Sequence, residues 1–447
     1  MVKKAEGMLS PYRVLDLTDE KGLLCGKLLG DLGADVIKIE RPGGDPARSI
    51  GPFYHDEPDP EKSLFWFAFN TSKRGITLDI ETADGQETFK RLVKITDVVV
   101  ESFAPGYMDK LGLGYSELEK VNPCIIMISI TPFGQTGPYR DYKAPDLVAW
   151  AMGGQMYSWG DADRPPIRIS HVPQAYLHAA GEAAVGAVMA LYYRGMTGEG
   201  QQVDVSIHES VIESIYRTTS SWDMNKVIEK RGEQSYQNVR ITRMWPCKDG
   251  HVVCFFSSGP YARRINIPLV EWMASEGMAD DFLKGFNWDT FDLRTATQDT
   301  VNRIEEQTAK FFMAHTKIEL VDGALKRRLI LLPVSTTKDI LESVQLSTRG
   351  SLVEVEHAEL GTSITYPGAF VRSSELPPRV TRRAPLIGEH DQEVYGKESG
   401  LYREEPLISK QAKNYLATLS KKSKSDNLVG KPLEGIKLSI ESHSPDG

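Results

Sequence analysis

Tyr12-Arg-Val-Leu-Asp-Leu-Thr18 leads through Gly22-Leu-Leu-Cys-Gly-Lys-Leu-Leu-Gly-Asp-Leu32 to Asp35-Val-Ile-Lys-Ile-Glu40. The first run alternates like a strand. The second places apolar residues at helical spacing, with glycine at 22, 26 and 30. The third is again strand-like. Strand, helix and strand within about 30 residues form a βαβ unit, whose strands must be parallel because the helix carries the chain back along the sheet. The glycines recur on one helical face and predict close approach of helix to sheet. They do not spell Gly-x-Gly-x-x-Gly, so nothing here points to a nicotinamide dinucleotide.

The alternation continues downstream. Residues 75–79 read as a strand and 83–95 as a helix. Asp97-Val-Val-Val-Glu101 is a buried-type strand. A helix starts at Ser116 after the turn Gly112-Leu-Gly-Tyr115, and residues 125–130 form the next strand. A long apolar run punctuated by glycine then precedes the alternating strand Val203-Asp-Val-Ser-Ile207. This pattern predicts an α/β fold with a Rossmann-like, doubly wound parallel sheet.

Beyond the helix expected at 208–221 the character changes. Residues 222–240 are polar and read as a linker. Residues 245–256 fold back at Lys248-Asp249-Gly250 as a hairpin, and a helical stretch runs from about 266 to 328. Strands return at 349–367. The chain of 447 residues is thus expected to hold two domains. The first spans 1–221. The linker leads to a smaller α+β domain over 241–330, and a return segment over 331–404 rejoins the large domain. Residues 405–447 form a tail that contains the Ser/Lys-rich stretch 421–426 and Pro432-Leu-Glu-Gly-Ile-Lys-Leu438, a strand-like piece suited to docking on a partner.

A net charge of −8 leaves no basic footprint for nucleic acid. No apolar run approaches the roughly 18 residues of a membrane span, and Met1-Val-Lys-Lys-Ala-Glu-Gly7 lacks the apolar core of a secretory signal. Cys25, Cys124, Cys247 and Cys254 show neither metal nor disulfide spacing, and the nine histidines form no His-x-x-His or His-x-x-x-His pair. No metal site is expected, and a cytoplasmic location fits.

Several motifs fall together in order. Val36-Ile-Lys-Ile-Glu-Arg-Pro-Gly-Gly-Asp-Pro46 follows the first helix. Asn70-Thr-Ser-Lys-Arg74, Leu78-Asp79, Glu101-Ser-Phe-Ala-Pro-Gly106 and Phe133-Gly-Gln-Thr-Gly-Pro138 come next. Val172-Pro-Gln-Ala-Tyr176 precedes Gly186 and the turn Thr197-Gly-Glu-Gly-Gln-Gln202. About 200 residues after position 176 stands Arg383-Ala-Pro-Leu-Ile-Gly-Glu-His390. As a set these resemble the family III CoA-transferases, the formyl-CoA and carnitine CoA-transferase group, over roughly residues 10–400.

The resemblance implies a large Rossmann-like domain built from both ends of the chain, a small domain from the middle, and an interlocked dimer. It implies a coenzyme A thioester as substrate, with no covalently bound cofactor. It places CoA contacts at Arg41, Lys73, Arg74, Leu78, Ser102, Phe103, Lys110 and Lys143. The chemistry agrees in kind: CoA carries several phosphate charges, and cations on loops at the carboxyl ends of parallel strands are suited to grip them.

Three positions depart from the family pattern. Glu81 stands where a lysine is expected, and Ser102 where an asparagine is expected. Tyr176 stands where the family presents its nucleophilic aspartate. That aspartate attacks the thioester carbonyl and itself becomes an acyl carrier, so only a carboxylate serves. A phenol cannot become a thioester, and with a pKa of about 10 against about 4 for aspartate it is mostly un-ionised at neutral pH. No catalytic residue is therefore expected in this chain. Glu182 lies about 120° round the helix from position 176, and Asp161 and Asp163 decorate a turn, so none is an obvious replacement. The racemases that resemble this family need a His–Asp pair, and this chain offers Pro145 and Tyr176 near those positions.

Within the family the resemblance points to two-subunit enzymes of anaerobic toluene degradation that move CoA from succinyl-CoA to (R)-benzylsuccinate. It implies a partner, a paralogous subunit bearing the aspartate, in a heterodimer or heterotetramer.

Overall fold

The computed structural model describes residues 7–161, 163–231 and 239–398. Its centre is a six-stranded parallel sheet. The strands are β1 (Arg13–Asp16), β2 (Asp35–Glu40), β3 (Lys73–Thr77), β4 (Val98–Glu101), β5 (Ile126–Thr131) and β6 (Gln201–Ser206), in spatial order β3-β2-β1-β4-β5-β6. Val14 pairs with Val36 on one side and Val98 on the other. Chain order therefore reverses between β1 and β4, where a doubly wound sheet opens a crevice at its carboxyl edge. Strands such as Val98-Val-Val100 are apolar on both faces because helices cover both.

The glycines of α1 (Leu23–Asp31) do what their spacing predicts. A β-carbon on Gly26 would lie 2.2 Å from Asp16 Oδ2, and one on Gly30 would lie 2.8 Å from the Ser72 carbonyl oxygen. The other elements of this half are α2 (Leu64–Asn70), α3 (Ala83–Val93), α4 (Tyr107–Lys110), α5 (Tyr115–Val121), α6 (Asp146–Met152), α7 (Gln174–Thr197), α8 (Ile207–Glu213) and α9 (Tyr216–Asn225). The Thr-Gly-Glu-Gly-Gln turn stops α7: Gly198 takes a left-handed φ of 80° and donates its N–H to the Arg194 carbonyl at 2.7 Å. Helix α9 occupies the first four residues of the expected linker.

The small domain has its own core around Trp245, Trp272, Phe311 and Phe312. The expected hairpin is present as β7 (Met244–Cys247) and β8 (Gly250–Cys254). A third strand, β9 (Leu331–Pro333), pairs with β8 and draws residues 331–333 out of the expected return segment. Helices α10 (Ala262–Ser275), α11 (Asp281–Gly285), α12 (Gln298–Ala314) and α13 (Lys317–Arg327) accompany this sheet.

The chain then returns to the large domain. The hairpin of β10 (Leu352–His357) and β11 (Thr362–Pro367) joins a core cluster with Leu23, Ala47, Trp66 and Phe67. The Arg-Ala-Pro motif follows along the edge of β3. Ser72 N–H donates to the Arg382 carbonyl at 3.0 Å, His390 N–H to the Gly75 carbonyl at 2.9 Å, and Thr77 N–H to Asp391 Oδ1 at 2.8 Å. The motif thus covers an otherwise unpaired sheet edge. The docking strand expected near 432–438 lies outside the described residues.

Candidate functional site

Loops at the carboxyl ends of β1 to β4 enclose a cleft of about 410 Å3. Its wall includes Asp19 after β1, Arg41 and Asp45 after β2, Leu78, Asp79 and Glu81 after β3, and Ser102, Phe103 and Tyr107 after β4. Ser102 bridges the crevice: its hydroxyl accepts the Asp19 N–H at 2.9 Å and donates to Asp19 Oδ1 at 2.8 Å. Phe103 and Tyr107 lie against each other with ring centroids 4.7 Å apart and planes tilted by 31°, an aromatic wall that suits a heteroaromatic base. The Tyr107 hydroxyl donates to Glu81 Oε1 at 2.6 Å. Burial and that carboxylate push its pKa up to about 12.

Four of the eight expected contacts, Arg41, Leu78, Ser102 and Phe103, line this cleft. Lys110 and Lys143 are exposed and lie outside its wall. Lys73 and Arg74 are corrected by the structure. Lys73 is wholly buried, and its ammonium donates to Asp16 Oδ2 at 2.8 Å, the Leu23 carbonyl at 2.8 Å and Asn70 Oδ1 at 2.9 Å. Arg74 spends its guanidinium on Asp35 and Glu393. Both cations are engaged within the fold, and neither is among the residues that line the cleft. The cleft is consequently acidic, with Arg41 the one Lys or Arg among its lining residues.

Tyr176 lies in the first turn of α7. Its ring is buried, and its hydroxyl reaches the Ala144 carbonyl at 3.5 Å. Burial raises the phenol pKa far above its ordinary value, and the negative charges of Glu20, Asp146 and Asp19 add to the rise. Asp19 also lines the cleft. Phenolate is therefore further out of reach here than in water.

Asp146 is the carboxylate that touches this helix start. Its Oδ1 accepts the N–H of Ala175 at 2.8 Å and of Tyr176 at 3.4 Å, and its Oδ2 meets Arg168 Nη2 at 3.2 Å. It thus does the work of an N-terminal cap from outside the helix, and both oxygens are engaged. Burial raises its pKa. Glu182 accepts the Ser210 hydroxyl at 2.7 Å, towards α8. Asp161 is exposed beside Arg164 at 3.7 Å, and Asp163 is exposed.

A model of CoA-transferase family III matches residues 9–391. The chain belongs to that family. It is 35% identical over 389 residues to the succinyl-CoA:(R)-benzylsuccinate CoA-transferase subunit BbsE of Thauera aromatica, covering 86% of this chain and 93% of that one. It is 33% identical over 410 residues to the succinyl-CoA–D-citramalate CoA-transferase of Chloroflexus aurantiacus, covering 91% and 98%. It is 33% identical over 394 residues to the succinyl-CoA:mesaconate CoA-transferase of Haloarcula hispanica, covering 87% and 96%. Among solved structures, a CAIB/BAIF family protein from Brucella suis superposes with a TM-score of 0.76 at 27% identity, covering 88% of this chain and 99% of that one.

Asp19, Asp146 and Arg168 were not singled out in the sequence. Asp146 carried a faint signal, an acidic residue directly after Pro145 at the start of an apolar helical run. Nothing local marked it as a cap for a helix 28 residues later. Arg168 sits in an irregular segment without periodicity.

Proposed function

We propose that this chain is one subunit of a heteromeric CoA-transferase that moves CoA from succinyl-CoA to a dicarboxylic acid such as (R)-benzylsuccinate, in the cytoplasm. The observation that carries this reading is Tyr176, a buried, un-ionised phenol where the family resemblance places the attacking carboxylate. In this reading the partner, a paralogous subunit, supplies the aspartate. Its carboxylate attacks the thioester carbonyl and expels CoA thiolate, leaving a mixed anhydride. The thiolate attacks the aspartyl carbonyl and releases succinate. The acceptor carboxylate then attacks this enzyme thioester, and the thiolate returns to the acceptor's carbonyl. This chain contributes the cleft, with the base of CoA on Phe103 and Tyr107, Leu78 and Ser102 in the wall, and Arg41, Lys110 and Lys143 towards the phosphates.

Two features support a partner. One face of α7 leaves Val185, Val188, Met189, Tyr192 and Met196 exposed at helical spacing, with Tyr192 at 71%. Such a stripe marks an interface, as the interlocked assembly expected for the family requires. Cys25, Cys124, Cys247 and Cys254 are all free thiols, in keeping with a reducing compartment.

Co-purification with its paralogue and a transferase assay test the reading. The chain alone should be inactive, and the paralogue should restore transfer. Transfer by the lone chain, abolished by Asp161→Asn or Asp163→Asn, would establish a displaced nucleophile instead. A pair that binds CoA and transfers none would mark a non-catalytic scaffold.

The acidic cleft makes a second prediction. Glu81→Lys turns repulsion of the CoA phosphates into attraction and frees the Tyr107 hydroxyl. A charge reversal near the surface should tighten CoA binding roughly five- to tenfold at low salt. Titration calorimetry at two ionic strengths reads this directly, and an unchanged dissociation constant would remove CoA from this cleft.

A further inference from the structure

We infer that Arg168 receives the non-reacting carboxylate of the acids that this site handles. The inference rests on the proposed function, because it supposes dicarboxylic substrates. Succinyl-CoA and the acceptors named for the three relatives above all keep a second carboxylate away from the reacting one. That anion must lose water when the site closes around it, and a fixed cation offsets the loss.

Two of the N–H groups at the helix start are not free for that anion. The N–H groups of Ala175 and Tyr176 are already taken by Asp146 Oδ1. The adjacent cation is Arg168, held through Asp146 Oδ2 at 3.2 Å and the His171 carbonyl at 3.3 Å. Both bonds use Nη2 alone. Among the described residues no hydrogen bond occupies Nε or Nη1, and the side chain is 38% exposed. A structural arginine in the same molecule looks different. Arg48 is 1% exposed and spends Nε, Nη1 and Nη2 on Glu40, Glu61 and two carbonyls. Arg168 is instead tethered by one nitrogen, one carboxylate away from position 176, with the rest of its planar fork open to an anion. Asp146 is a positioning residue here: one oxygen caps α7 and the other aims the guanidinium.

The test is calorimetry on the purified full-length chain saturated with CoA. The probes are succinate, 2-benzylsuccinate and 4-phenylbutanoate, the last being benzylsuccinate without one carboxyl. Arg168→Gln should weaken both dicarboxylates at least tenfold and leave 4-phenylbutanoate unchanged. Arg168→Lys should recover part of the loss. CoA binding should be equal in all variants, which separates this role from a general collapse of the loop. Equal weakening of mono- and dicarboxylate, no weakening, or a wild-type chain that binds CoA but no dicarboxylate overturns the inference alone. A wild-type chain that binds no CoA overturns the functional reading and this inference with it.

Discussion

Tyr176→Asp is expected to give the isolated chain a transferase activity that the wild type lacks. The resemblance to the family places its nucleophile at this position. The position lies in the first turn of α7, feels the charge of Asp19, which lines the cleft, and has its helix end capped by Asp146. What the wild type lacks is an acyl-forming oxygen. Removing a covalent nucleophile from an otherwise intact site commonly costs about 10^4- to 10^6-fold in kcat, so restoring one in a relaxed site should give a gain of roughly 10^3-fold over the tyrosine form. The gain should depend on pH in a stated direction. The charges of Glu20, Asp146 and Asp19 already oppose ionisation of the phenol. They will also hold the pKa of a new carboxyl above the ordinary carboxylate value. Because the ionised form attacks, activity should fall as pH drops through that raised value, earlier than for an unperturbed aspartate. The assay is single-turnover formation of an enzyme thioester from succinyl-CoA, followed by mass spectrometry. A variant that folds, binds CoA and forms no adduct would show that the surroundings of position 176 have drifted as well.

The parallel sheet was legible because its evidence is local. Alternation in 12–18, glycines on one face of 22–32 and β-branched residues in 35–40 each state an element, and the βαβ rule then joins them. Gly26 and Gly30 were read as contacts between helix and sheet, and the distances a β-carbon would have there explain why. The lining of the cleft was legible only where a loop residue stays on its loop. Arg41, Leu78, Ser102 and Phe103 follow directly from strand ends and line the cleft. Lys73 and Arg74 failed because a cation in a motif carries no label saying whether its charge partner is a ligand or the protein. Their partners, Asp16, Asp35 and Glu393, lie 57, 39 and 319 residues away, and only the fold brings them together. The same distance hid Asp146, whose carboxylate caps a helix in another part of the chain.

The buried Lys73–Asp16 pair carries the largest expected stability effect. Asp16 ends β1, and Lys73 begins β3 two strands away; both side chains are fully buried. Burial alone would raise the Asp16 pKa, but Lys73 and Lys38 outweigh it, and the carboxyl stays ionised with its pKa below the ordinary value. Thr18 adds its N–H at 2.9 Å and its hydroxyl at 2.6 Å to Oδ1. Lys73→Met removes the closest ion partner and strands Asn70 Oδ1 and the Leu23 carbonyl. Breaking one side of a buried pair typically costs about 3–5 kcal/mol, and the loss should appear as a lowered denaturant midpoint. The sign of the pH dependence follows from Asp16. A carboxyl with a depressed folded-state pKa contributes stability that is present above its unfolded value, near ~4, and is lost as pH falls through the folded value. The wild type should therefore lose stability on acidification more steeply than Asp16→Asn, which has no such proton to take up. If Lys73 instead gripped CoA, Lys73→Met would leave the midpoint unchanged and weaken CoA binding. Its three interior hydrogen bonds require the opposite: a large fall in stability, with the CoA affinity of the folded fraction retained.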